Sequence, residues 1–194
     1  MTDFLRDGTG KGTLVKVDES NRMSTFGPSE EEVHAASRTG NAFSLGFKKI
    51  MEAADTEEVI GYFQYTGDAN LVMNRIFYAV EGTGLSTVQF YLFTQDTPSG
   101  GTAFTPQALN LTKTNTLEGT YLTANDSATP ISIGDFGAAV GFTFVSSSNP
   151  NLEEAFGDSI IFGKNQTMVI TGISPEADKL IRANFLTYQD TNIE

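Results

Sequence analysis

Cysteine and tryptophan are missing from this 194-residue chain, and histidine occurs once. Without cysteine there is no disulfide, no thiolate metal site and no cysteine nucleophile. His34 follows Glu30-Glu31-Glu32 with no second histidine to complete a metal site, so metal chemistry built on several histidines is nearly excluded. A Ser-His-Asp triad would have to use this one residue, and no Gly-x-Ser-x-Gly elbow is present. His34 is expected to face solvent. The lack of tryptophan removes the usual sugar-stacking platform of a glycosidase, although carboxylates are plentiful. Asp126 and Asp135 lie in Ser-, Thr- and Asn-rich stretches and read as solvated turn residues. No catalytic residue, cofactor or metal ligand is nominated.

Long apolar runs are lacking too. None approaches the roughly 18 residues of a membrane span, and the opening Met-Thr-Asp-Phe-Leu-Arg-Asp-Gly has no apolar core of a signal peptide. The expectation is a soluble protein folded in a cytoplasm. Basic residues are scarce, 12 against 24 acidic. Residues 1–50 hold 7 of each, which leaves 5 basic and 17 acidic side chains for residues 51–194. An acidic body repels phosphate backbones, so nucleic acid is not an expected ligand. Gly8-Thr9-Gly10-Lys11-Gly12-Thr13 resembles a phosphate loop only superficially, because Gly12 stands where Ser or Thr must follow the lysine.

What the chain does contain is 19 glycines, 15 phenylalanines and many Thr and Ser, the composition of an all-β protein rich in turns. Val59–Tyr65 and Leu71–Val80 flank the breaker cluster Thr66-Gly67-Asp68-Ala69-Asn70, which predicts a core hairpin. Val59, Gly61, Phe63 and Tyr65 fall on one face of the first run and Ile60, Tyr62 and Gln64 on the other, so this strand is expected to be covered on both sides. A thick core would cover it, and so would a subunit interface; Phe90-Tyr91-Leu92-Phe93 raises the same choice. Phe43, Leu45 and Phe47 alternate with polar or small residues as in a half-buried strand. Residues 47–57 fit either its continuation or a short helix through Phe47, Ile50, Met51 and Ala54. Further strands are expected at Ser86–Thr94, Ala138–Val145, Ser159–Phe162, Gln166–Ile173 and Lys179–Tyr188, with short pieces at Phe104, Ala108–Leu111, Gly119–Leu122 and Ile131–Ile133. The pattern predicts an all-β, jelly-roll-like β-sandwich over residues 42–194.

Residues 1–41 carry few large apolar side chains and are expected to form an extended N-terminal arm, ordered only against a neighbour. Leu14-Val15-Lys16-Val17 is a candidate strand for addition to a sheet edge. Ser29-Glu30-Glu31-Glu32 is a capping-box pattern, predicting a helix of at most about two turns that Gly40 ends.

The order of segments resembles a known group. Val15–Met23, Ala42-Phe43-Ser44-Leu45, Ile60–Tyr65, Asp68–Val72 and Phe162–Ile170 together are similar to small jelly-roll structural proteins of tailed bacteriophages. Such virion proteins, often trimeric, include capsid decoration (cement) proteins and head-fibre components. The resemblance implies a non-enzymatic protein made in a host cytoplasm and located in the virion. Its partners would be the major capsid protein or other virion proteins, with further copies of itself in a homotrimer and neither nucleic acid nor membrane. The residues expected to anchor it are Leu14, Val15, Lys16, Val17, Arg22 and Arg38. A rival reading is a receptor- or glycan-binding module of a tail or fibre, using loops 97–105, 112–129 and 146–154 with Tyr121 and Phe104 to stack on sugar. An enzyme acting through loop carboxylates ranks third.

Overall fold

The computed structural model describes residues 4–6, 14–17, 23–26, 32–82, 84–92, 96–124, 130–136, 138–146 and 151–190. The chain divides into two compact units, residues 1–32 and 33–194.

In the first unit β1 (Phe4–Arg6), β2 (Leu14–Val17) and β3 (Met23–Phe26) form an antiparallel meander in the order β1-β2-β3. Leu5 is opposite Val15, and Val15 is in turn opposite Thr25. Leu14–Val17 is therefore the central strand of its own sheet. Both its edges are occupied, which corrects the expectation that it is a free strand for another sheet; the available edges are those of β1 and β3.

α1 (Glu32–Thr39), two turns long as the capping pattern predicts, belongs to the second unit in all but its first residue. Gly40 ends it at φ +86°, a conformation that disfavours side chains, and Gly40 N–H and Asn41 N–H donate to the carbonyls of Ser37 and Ala36. This helix lies with the body, so the break between units falls at residue 32 and not at 41.

After it come β4 (Ala42–Ile50), β5 (Glu57–Tyr65), β6 (Asn70–Val80), β7 (Leu85–Leu92), β8 (Thr102–Ala103), β9 (Gln107–Ala108), β10 (Gly119–Thr123), β11 (Ala138–Ser146), β12 (Asn151–Phe162), β13 (Thr167–Ile173) and β14 (Leu180–Asp190). One sheet has the order β12-β6-β14-β4-β9 and the other β11-β7-β13-β5-β10-β8. Stripped of β8, β9 and β10, these are two interleaved four-stranded antiparallel sheets between which the chain shuttles, which is the jelly-roll arrangement. The three short strands belong to the long β7–β11 connection and extend each sheet at one edge.

The inner faces meet through aromatic rings. Phe63 of one sheet lies 4.8 Å from Phe162 of the other, and Phe90 lies 5.7 Å from Phe185. Phe47 packs edge-on to Phe104 and Phe185 at 5.3 and 5.8 Å.

Two expectations need correction, and the choice left open over residues 47–57 is resolved. Val59–Tyr65 and Leu71–Val80 are not a hairpin: β5 pairs with β10 and β13, β6 with β12 and β14, and Thr66–Ala69 carries the chain from one sheet to the other. Turn composition marks where a strand ends but not which strand it pairs with. Strict alternation along β5 also fails, because Gly61 and Val59 pair with the consecutive Ile170 and Thr171, making Ile60 the extra residue of a bulge. Ile60 consequently joins Phe63 and Tyr65 in the main core. Residues 47–57 hold no helix; β4 runs to Ile50 and a turn follows.

The strand is indeed covered on both sides. Val59 and Tyr62, facing away from the main core, pack with Ala124, Ile131 and Val169, flanked by Ile133 and Phe136. Tyr91 joins this layer, its ring 5.2 Å from that of Phe136. The second cover comes from the chain's own β7–β11 connection, so the apolar surplus on β5 requires no second subunit.

Candidate functional site

On β4 the residues facing inwards are Phe43, Leu45, Phe47 and, buried like them, Lys49. Those between face outwards, and the β4–β14 register sets Gly46 opposite Asn184, Lys48 opposite Arg182 and Ile50 opposite Leu180. These three cross-strand pairs line a cleft of about 670 Å³. Phe47, Phe104 and Ala183 contribute apolar walls, and Thr102 and Thr123 complete the lining.

Lys48 and Arg182 are both exposed. Like charges directly opposite on an antiparallel pair repel by a few tenths of a kcal/mol or more. Among the described residues the only carboxylate near Arg182 is Glu81, at 4.0 Å, and none is within ion-pair distance of Lys48. The other lysines of β4, β12–β13 and the β13–β14 turn have partners: Lys49 with Glu52 and Glu58, Lys164 with Asp68, Lys179 with Glu176. Beyond β9, the open edge of β4 is closed by one side chain. The Thr123 hydroxyl accepts from Lys48 N–H and donates to Lys48 C=O, each at 3.0 Å.

A second groove, about 390 Å³, lies where the β4–β5 connection meets Pro130–Ile133 and Phe136. Its carboxylates are already engaged. Glu58 faces Lys49 Nζ at 3.1 Å and accepts from the backbone N–H of Glu52 and Ala53 at 2.8 and 3.0 Å. Glu57 accepts from the Tyr91 hydroxyl at 2.8 Å and the Thr171 hydroxyl at 2.6 Å. This is the hydrogen bonding of a structural knot. Among the described residues there is no cluster of three or more metal-ligating side chains.

Four tyrosines resist ionisation. Burial raises Tyr62, Tyr65 and Tyr121 above the ordinary value of 10.0, and burial followed by the Glu57 hydrogen bond and charge pushes Tyr91 up to about 12. The unfolded chain thus releases these protons at lower pH than the folded one. Their contribution is intact below pH 10 and is lost as pH rises through the folded values, so unfolding is expected to set in between about pH 10 and 12. Tyrosinate absorbance followed together with circular dichroism checks this; ionisation of all tyrosines near pH 10 in the still-folded protein would contradict it.

The anchoring residues named from the sequence separate. Leu14, Val15, Lys16 and Val17 form β2 in the first unit, while Arg38 lies in the second, exposed in the last turn of α1 where a cation complements the helix dipole. Its carbonyl accepts from Asn110 Nδ2 at 3.4 Å. Arg22 and Asp126 lie outside the described residues, as does the side chain of His34. Asp135 is exposed. Of the two aromatics proposed to stack on sugar, Tyr121 is core, stacked on Phe63, whereas Phe104 is half-buried in the cleft wall. Lys48 and Lys49, which the charge count put with the N-terminal segment, are body residues on β4.

No protein-family model, curated protein or solved structure matches this chain. The cleft therefore has to be read from its own chemistry.

Proposed function

We propose that the protein is a non-enzymatic structural component of a tailed-phage virion, a capsid decoration (cement) protein that binds the assembled shell through residues 1–32. The observation that carries this reading is the division into a jelly-roll body and a separate N-terminal unit whose sheet has β1 and β3 at its edges. Edge strands take up a neighbour's strand through main-chain hydrogen bonds. The resemblance of the segment order to phage jelly-roll proteins, read from the sequence, points to the same assignment. In this reading the mechanism is mass action. A protein that binds the completed lattice and not its free subunits raises the lattice's stability in proportion to its occupancy.

The test is co-sedimentation with empty shells assembled from the major capsid protein of the same genome. The full chain is expected to pellet with the shells, and a chain starting at residue 33 to remain in the supernatant while unfolding at the same denaturant midpoint as the intact body. Equal pelleting of both would move the anchor into the body, and no pelleting of either would end the decoration reading. The proposed homotrimer is checked by light scattering, where it gives three times 20.9 kDa.

A further inference from the structure

We propose that the cleft between β4, β14 and the β8–β10 connection binds a carboxylate-bearing sugar of the uronic or sialic acid type. The inference stands apart from the decoration reading, since it concerns the body alone.

Two cations set opposite each other in a chain with net charge −12 are the starting point. Lys48 and Arg182 repel across the strands, and a carboxylate placed between them turns that repulsion into two charge-assisted hydrogen bonds. Along the same face the pairs change character stepwise, from Ile50 and Leu180 through the two cations to Gly46 and Asn184. A sugar acid carries a group for each of these pairs: an apolar ring face, a carboxylate and several hydroxyls. Asn184 Oδ1 already accepts from the Ser44 hydroxyl at 3.1 Å, which leaves the amide Nδ2 to donate to a ligand hydroxyl. Phe104 supplies aromatic surface in the wall. The volume, about 670 Å³, is that of a site for one or two sugar rings.

The main competitor is an acidic peptide adding as a strand along β4. Thr123 argues against it, because its hydroxyl already occupies both the donor and the acceptor of Lys48 on that edge. The occupant must then hydrogen-bond through side chains and not through a ladder.

The experiment is isothermal titration calorimetry on the full chain with D-glucuronate and N-acetylneuraminate. D-glucose serves as the neutral ring, acetate as the bare carboxylate and a Glu-rich hexapeptide as the competitor. At least one sugar acid is expected to bind roughly tenfold or more tightly than glucose or acetate. Lys48→Gln and Arg182→Gln should each weaken that binding about tenfold, with an unfolding midpoint unchanged or slightly raised by relief of the repulsion. Sugar acids binding no better than acetate, binding that survives both substitutions, or a response to the peptide alone would each overturn the proposal.

Discussion

Gly61→Ala is expected to lower the stability of the body by roughly 3 kcal/mol, the upper part of the usual range for overpacking. Gly61 faces the main core, where an added Cβ would sit inside contact distance of the Phe47 ring and only 2.7 Å from its Cγ. Phe47 cannot yield easily, being 2% exposed and held edge-on between Phe104 and Phe185. Gly61 is also next to the Ile60 bulge, which restricts how far β5 can shift to relieve the contact. Phe47→Leu alone should be destabilising through lost volume. The double variant, however, should be more stable than the sum of the two losses predicts, because the smaller side chain frees the space that the new methyl needs. Urea unfolding of the four proteins gives the coupling directly; strict additivity would show that the two residues do not compete for the same space.

Glu58→Ala is the second large effect, at about 3 kcal/mol. Lys49 has 3% of its side chain exposed and two carboxylate partners, of which Glu52 is 44% exposed and Glu58 only 12%. Removing Glu58 leaves a buried ammonium with only the more solvated partner, and it also takes the shared acceptor away from two backbone N–H groups. Lys49→Met in the same chain should recover most of the loss, since a methionine of similar length fills the site without a charge. Chemical denaturation of the single and double variants decides it. If the double variant is no more stable than Glu58→Ala, the damage lies in the two backbone N–H donors left without their acceptor.

Period and composition were enough to read the fold class, because half-buried strands advertise themselves through side-chain alternation. Phe43, Leu45 and Phe47 gave β4, and the final strands through Met168–Ile170 and Ile181–Phe185 were legible in the same way. Pairing was not legible. Thr66–Asn70 has hairpin composition, yet β5 and β6 part into different sheets because each finds both neighbours elsewhere in the chain. The two-sided burial of Val59–Tyr65 was readable, but its cause was not. Its cover is a Gly- and Thr-rich connection whose few apolar residues, Ala124, Ile131 and Phe136, look unremarkable in sequence.

The cleft was the least accessible feature. Its parts lie at residues 46–50, 102–104, 123 and 180–184, and nothing local to Lys48 or Arg182 distinguishes them from solvated strand residues. Only the register of the first strand of the body against the last makes them a pair.

That register also decides when the protein can fold. Ser44 hydrogen-bonds Asn184 across 140 residues, and β14 is the strand that joins β4 to β6 in their sheet. Until β14 leaves the ribosome, β4 and β6 have no common neighbour, and the apolar faces of both wait uncovered. Contacts this distant in sequence carry a high loop-closure cost and fold slowly, so assembly of the body waits for β14 and is exposed to aggregation while it waits. A chain that ends before Leu180 would not be a shortened sandwich. It would keep the strands of the six-stranded sheet but leave β12-β6 and β4-β9 as separate pieces opposite them, with no strand between.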